Sequence, residues 1–246
     1  MAHRSLFVGT AGWSITSRHA ERLPGPGSHL ERYGRRLNAV EINSSFYSPH
    51  RRETYARWAD AVPADFRFSV KLAKTITHER RLADCSTLLD EFLAQAHGLG
   101  KKFGAILVQL PPSLRFEAQI TEAFLADLRA RSGAAIALEP RHANWFEPEA
   151  EALLERYRVA RVAADPARFA GADAPGGWNG LAYFRLHGSP RVYYSDYEPE
   201  RLRTIAQQLE TAARTAEAVW CIFDNTVQGH ALGNALDLPA MQPALR

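Results

Sequence analysis

Val40-Glu41-Ile42-Asn43-Ser44-Ser45-Phe46-Tyr47 alternates apolar and polar residues, then runs into two serines and two aromatics. On a β-strand that alternation sends Val40 and Ile42 to one face and Glu41 and Asn43 to the other. A strand that served packing alone would end in turn residues such as Gly, Asn, Pro or Asp. This one ends in groups that can bind or react.

The same arrangement recurs in both directions along the chain. Leu6 to Trp13 reads as a buried strand ending in Gly12 and Trp13. Phe66-Arg67-Phe68-Ser69-Val70-Lys71-Leu72 is the clearest alternation, with Phe66, Phe68, Val70 and Leu72 on one side. Gly104 to Leu110, Ala134 to Glu139, Val159 to Ala164, Leu181 to Gly188 and Ala218 to Phe223 complete eight strands.

Helical patterns fall between most of them. Ser28 with Glu31 three residues on is a capping box and predicts a short helix carrying Leu30, Tyr33 and Leu37. Glu53 to Ala61, Ser86 to Leu99 and Glu117 to Arg131 follow, then Pro148 to Tyr157 and Pro199 to Ala216. A last short helix holds His230 and Asn234. Ala170 to Gly180, rich in Gly, Pro and Ala, reads as a loop.

Strands alternating with helices imply βαβ units and a parallel sheet. Eight units in 246 residues fit a single (β/α)8 barrel domain, α/β in class and TIM-barrel-like, spanning 1–246. No Gly-rich fingerprint follows the first strand, which disfavours a dinucleotide-binding fold.

Composition sets the outer limits. With 46% hydrophobic and 23% charged residues the chain has ample core for a globular fold. It lacks the run of about 18 apolar residues that a membrane span needs. Met1 to Gly9 lacks an h-region and a cleavage site, so no signal peptide is expected. Two cysteines, Cys85 and Cys221, are too few for a disulfide framework. A reducing, cytoplasmic setting is the expectation. The net charge of +3 has two readings. All but Lys71, Lys74, Lys101 and Lys102 of the 30 basic residues are Arg, which a GC-rich genome would produce. An anionic partner would also explain it.

In such barrels chemistry gathers at the C-terminal ends of the strands. Those positions here are Trp13, Glu41 with Asn43, Lys71, Gln109, Glu139 with Arg141, Asp165, Arg185 with His187, and Asp224 with Asn225. Alternation turns most of them into the lumen; at the eighth strand either Asp224 or Asn225 could face in. The bland alternative is a buried salt-bridge network, a poor stabiliser compared with hydrophobic filling. Arg67 and Arg161 lie near strand starts and read as structural. Trp58 and Trp220 read as core. Trp13 and Trp145 sit just past strand ends, where they could stack on a ligand.

The motifs together resemble a known family. Gly9-Thr10-Ala11-Gly12-Trp13, the opening stretch and Phe66 to Lys71 are its first three signatures. Thr77-His78, Gln109-Leu110-Pro111, Glu139-Pro140-Arg141-His142 with Trp145, and Asp165-Pro166 follow. Arg185-Leu186-His187-Gly188 and Asn225 with Asn234-Ala235 complete the set. In this order they are similar to the YecE-like family, and the resemblance covers nearly the whole chain. It implies a TIM-barrel-like fold with a polar cleft at the strand ends and no established reaction. The family has been compared with metal-dependent barrels of the endonuclease IV type, an analogy of fold alone. Those sites use several histidines, whereas here His187 stands by itself at a strand end, with His78 and His142 in loops.

Several chemistries fit these residues. The first is a hydrolase or lyase acting on a phosphorylated or nucleotide-like substrate. Its catalytic set would be Glu41, Glu139, His187 and Asp165, with Glu41 or Glu139 as general base. Lys71, Arg141 and Arg185 would clamp the anion, assisted by the Gly188 backbone. Asn43, Gln109, Asn225 and Trp13 would complete the binding surface. No cofactor is assigned and no metal ligand belongs to this reading. A second reading makes Glu41, Glu139, Asp165, His187 and Asp224 ligands of Mg or Mn. A third is a non-catalytic nucleotide or nucleic-acid binding module. A fourth is a glycosidase with Glu41 and Glu139 as its carboxylate pair.

Overall fold

The computed structural model describes residues 5–241, so the reading of Met1 to Arg4 lies outside the described residues. Ten strands form one sheet: β1 (Ser5–Ala11), β2 (Ala39–Ile42), β3 (Arg67–Lys71), β4 (Phe103–Gln109), β5 (Ala135–Glu139), β6 (Val159–Arg161), β7 (Ala163–Asp165), β8 (Gly176–Gly177), β9 (Leu181–Leu186) and β10 (Ala218–Phe223). Their order in the sheet is β7-β9-β10-β1-β2-β3-β4-β5-β6-β8.

The expected sixth strand is therefore two short ones. β6 pairs in parallel with β5, while β7, one residue further on, pairs in parallel with β9. The ring is a nearly closed, TIM-barrel-like α/β barrel whose two edges meet at Val162. The expectation of parallel strands throughout needs one correction. Gly176–Gly177 returns from the loop and pairs antiparallel with β6. Gly177 has a φ of 63°, and a Cβ there would press on the Val159 carbonyl.

The lumen holds Ala39, Ala105, Ala137 and Ala160 around Tyr183 and Trp220, whose rings stack at 5.9 Å. A barrel lumen is a packed core and not a pore. Alanines on the neighbouring strands leave the volume that two large aromatics fill.

The outward faces pack on the helices: α1 (His29–Gly34), α2 (Ser44–Tyr47), α3 (Arg52–Asp60), α4 (Ser86–Ala96), α5 (Ala118–Arg131), α6 (Pro148–Arg156), α7 (Pro199–Ala212) and α8 (His230–Met241). The capping box forms: Ser28 N–H donates to Glu31 at 2.6 Å and Glu31 N–H to Ser28 Oγ at 3.3 Å. Prolines start α6 and α7, where a missing N–H goes unnoticed. The helix predicted to Leu99 ends at Ala96 and passes into a 3-10 turn that breaks at Gly100, φ 54°. The strand predicted through Asn43 ends at Ile42, because Asn43 is already αR and leads into the single turn of α2.

Among the described residues no helix is long and apolar enough to cross a membrane. Cys85 and Cys221 are free and buried.

Candidate functional site

Period-two alternation brings Glu41, Ser69, Lys71, Gln109, Glu139, Tyr183, Arg185 and Asp224 to the inner face of the barrel. The strand register fixes this: Glu41 is opposite Ser69, Gln109 opposite Glu139, and Ile222, two residues before Asp224, opposite Arg185. Adjacent residues in a parallel pair point the same way.

Arg185 is the hub, with 0% of its surface exposed. Its Nη2 donates to Glu41 Oε1 at 2.8 Å and lies 3.0 Å from Asp224 Oδ2. Its Nε reaches Glu41 Oε2 at 3.1 Å and its Nη1 reaches Glu139 Oε2 at 3.1 Å. Tyr183 Oη sits beneath, 2.9 Å from both Glu41 Oε2 and Ser69 Oγ. The guanidinium faces three carboxylates and commits most of its five N–H donors to them.

Glu139 is equally committed. Besides Arg185 it accepts from Gln109 Nε2 at 2.9 Å, Arg141 Nη2 at 3.2 Å and His187 Nε2 at 3.1 Å. Burial alone would raise its pKa, but Arg185, His187 and Arg141 outweigh burial and hold it well below the usual range. Asp224 behaves likewise: burial opposes ionisation, and Arg185 and His187 overcome it. His187 lies between the two carboxylates, with Nδ1 3.0 Å from Asp224 Oδ2. Burial would lower its pKa, but Glu139 and Asp224 raise it, so the imidazolium form is favoured and donates from both nitrogens.

Lys71 is different. It is 6% exposed, and its Nζ has no hydrogen-bond or ion-pair partner among the described residues. Its contact is with Phe46, whose ring centroid lies 4.2 Å from Nζ. Burial first, then the neighbouring Arg185, lowers its pKa to about 8 against the pull of Glu41, Glu139 and Asp224. Ser45 holds the backbone here, its Oγ 2.9 Å from Ile42 O and 2.7 Å from Lys71 O. Beside it, Asn43 Oδ1 is buried and has no hydrogen-bond partner. The His78 ring packs on Phe46 at 5.0 Å, and burial with Lys71 and Arg141 lowers its pKa, so it stays neutral near pH 7.

A family model described as "Protein of unknown function DUF72" matches residues 7–244. The chain belongs to that family. Its fold is similar to crystal structures of a DUF72 family protein from Enterococcus faecalis, with a TM-score of 0.80 and 23% identity over 96% of this chain and 94% of that one. A DUF72 family protein from Thermotoga maritima matches at a TM-score of 0.79 and 24% identity, over 96% of this chain and 98% of that one. UPF0759 protein YecE of Escherichia coli is 33% identical over 106 residues, 43% of this chain. The matched stretch spans 38% of that relative's length. These likenesses bear out the family resemblance and the fold.

Within this DUF72 barrel, Glu41, Lys71, Gln109, Glu139, Arg141, Arg185 and His187 come together, while Asn43 lies just past the end of β2 with its Oδ1 buried. Five other expected residues do not join them. Asp165 pairs with Leu186, so it faces outward, where its Oδ2 accepts from Arg201 Nη2 at 2.9 Å. Asn225 turns away from the lumen and donates to Ser195 O and Asn234 Oδ1, tying the loop after β9 to α8. Asp224 takes the inward place at the eighth strand. The Gly188 N–H is also taken, donating to Tyr197 Oη at 2.9 Å. Gly188 is needed for its φ of 92° and its approach to the Ser195 backbone. Trp13 packs edge-on against Trp58 at 5.0 Å. Trp145 is fully buried and donates to Leu114 O, which rules out stacking on a ligand.

The sequence reading missed Tyr183, and it placed Phe46 and Tyr193 just past strand ends without assigning their contacts. Tyr183 was findable, two residues before Arg185 and so on the same face. Tyr193 Oη accepts from Arg141 Nη2 at 3.4 Å, and its ring meets His187 edge-on at 5.6 Å. Nothing in the sequence placed it there.

Proposed function

We propose that the barrel mouth is the active site of a hydrolase or lyase acting on a small phosphorylated or nucleotide-like anion. One observation carries this reading. Three buried carboxylates, Glu41, Glu139 and Asp224, are matched by three cations, Arg185, Arg141 and His187. Lys71 remains over, a cation without an ion-pair partner among the described residues. A buried cation in that position favours an anionic ligand.

The roles shift within the reading. Arg185 holds the carboxylates in place. Lys71 and Arg141, the latter half-buried at the rim, receive the anion. Glu139, ionised and saturated with donors, makes a poor general base. The proton-moving groups within this site are His78, Lys71 and His187. The metal-dependent reading is weaker. The carboxylate oxygens it needs already accept from Arg185 and His187, Asp165 faces away, and among the described residues no three His, Cys, Asp or Glu form a metal-holding group.

Isothermal titration with inorganic phosphate and with mononucleotides tests the proposal, comparing the wild type with Lys71→Gln. Binding weakened or lost in the variant is expected. Absence of heat up to millimolar ligand, or binding indifferent to the substitution, would overturn it.

A further inference from the structure

We propose that Lys71 is a nucleophilic amine that forms an imine with the carbonyl group of an anionic aldehyde or ketone substrate. The inference rests on the reading of the mouth as an anion site and narrows it to a carbonyl lyase.

Four observations support it. The first is position: Lys71 ends β3, at the strand ends of the barrel. The second is availability. Fully buried side-chain polar atoms without a partner occur among the described residues at Thr16, His19, Asn43 and Asn225, and Lys71 Nζ is not one of them. The amine is therefore unpartnered and still in touch with solvent. A lysine kept only for charge balance would be expected to contact the carboxylates near it, and those are engaged by Arg185.

The third is protonation state. The groups facing Lys71 are Glu41 on β2, Glu139 on β5, Arg185 on β9, Asp224 after β10 and His78 after β3. Their balance with burial leaves it titrating at about 8. Such a lysine carries roughly two hundred times as much neutral amine at pH 7 as one titrating at about 10.4. The fourth is the Phe46 ring. Its face favours a cation at Nζ, and a protonated imine keeps the positive charge at that nitrogen.

The step balances without a further reactant. The amine lone pair adds to the carbonyl carbon, and the C=O π pair moves to oxygen, which takes a proton. The nitrogen, cationic after the addition, gives up a proton and regains its lone pair; a second proton then lets that oxygen leave as water while the lone pair closes the C=N bond. Ammonium plus carbonyl thus gives a protonated imine plus water. His78, neutral and packed on the same ring, is placed to relay the protons. The iminium then serves as the electron sink that a lyase needs.

The test is reductive trapping on the full chain. Wild-type protein is incubated with glyoxylate and, separately, with glyceraldehyde 3-phosphate, reduced with borohydride, digested and mapped by mass spectrometry. The chain has four lysines, so each site is read directly. The expected result is an adduct at Lys71 exceeding that at Lys74, Lys101 or Lys102 by about tenfold or more. Lys71→Arg and Lys71→Met should lose it, but site selectivity in the wild type is decisive even if neither variant folds. Label spread over the other lysines, with Lys71 unmodified, would overturn the proposal. Phosphate titration run in parallel separates the two readings. Phosphate binding without trapping overturns the imine and leaves the anion site standing. Trapping without phosphate binding supports the imine and overturns the phosphate reading. Neither signal overturns both.

Discussion

The Arg185 guanidinium grips the Glu41 carboxylate with two nitrogens, Nη2 at 2.8 Å from Oε1 and Nε at 3.1 Å from Oε2. Both side chains are sealed from solvent. Removing one partner of such a pair strands the other charge in a low-dielectric interior, at a cost of about 3–5 kcal/mol. Arg185→Met, which leaves three carboxylates facing one another, should destabilise at least that much. Glu41→Gln should cost less, because the amide can still accept from Arg185. Urea denaturation of the two variants gives the ranking; an Arg185→Met protein as stable as wild type would show that the network is not structural.

Stability should fall on both sides of a middle pH window. Glu139 and Asp224 titrate below their ordinary values of 4.5 and 3.8. Their contribution is complete above those values and is lost as acid protonates them in the folded protein. His187 titrates above its ordinary 6.5, so its contribution is complete below 6.5 and is lost as pH rises through the higher folded value. The plateau therefore runs from about 4.5 to about 6.5. His187→Asn should flatten the upper limb. An upper limb unchanged in that variant, followed by denaturant midpoints across pH, would assign the loss to another group.

Lys71 should acylate with its own pH dependence. Competitive labelling with acetic anhydride is expected to give an inflection near 8 for Lys71, below the value of about 10.4 usual for lysine in model peptides. A Lys71 curve with its inflection at that usual value would mean that burial leaves its basicity untouched.

Ser45→Ala should cost about 1 kcal/mol through the lost contacts to Ile42 O and Lys71 O. It should also move the Lys71 labelling curve, because Ser45 fixes where β3 ends relative to the Phe46 turn. Stability loss with an unmoved curve would make Ser45 a packing residue only.

The barrel was readable in the sequence because period-two alternation survives in β2, β3 and β9, where charged residues mark one face clearly. It was not readable where both faces are small and apolar. Apart from Arg161, Val159 to Ala164 is small and apolar on both faces, so its pattern does not fix which way Asp165 points; Asp165 shares parity with Arg161 and faces outward. Trp220, Cys221, Ile222 and Phe223 left Asp224 and Asn225 undecided for the same reason. The cluster's members were visible at strand ends, but their division of labour was not. That Arg185 would engage all three carboxylates, and so leave Lys71 without one, depends on side-chain reach across the lumen, which spacing along a strand does not encode. Phe46 was hidden because a residue past a strand end has no fixed direction until the turn of α2 is known.

The joint at Val162 has a mechanical consequence. Elsewhere neighbouring staves are laced by ladders of backbone bonds, but here the two arcs of the ring are joined by the covalent chain, β6 fastened to β5 and β7 to β9. Glu139 stands on one arc, and Arg185 and His187 on the other, and their 3.1 Å contacts with Glu139 cross the joint. These contacts act as a clasp. Protonating Glu139 or neutralising His187 would take charge out of that clasp, so the titration of the cluster bears directly on the one place where the ring lacks a backbone ladder.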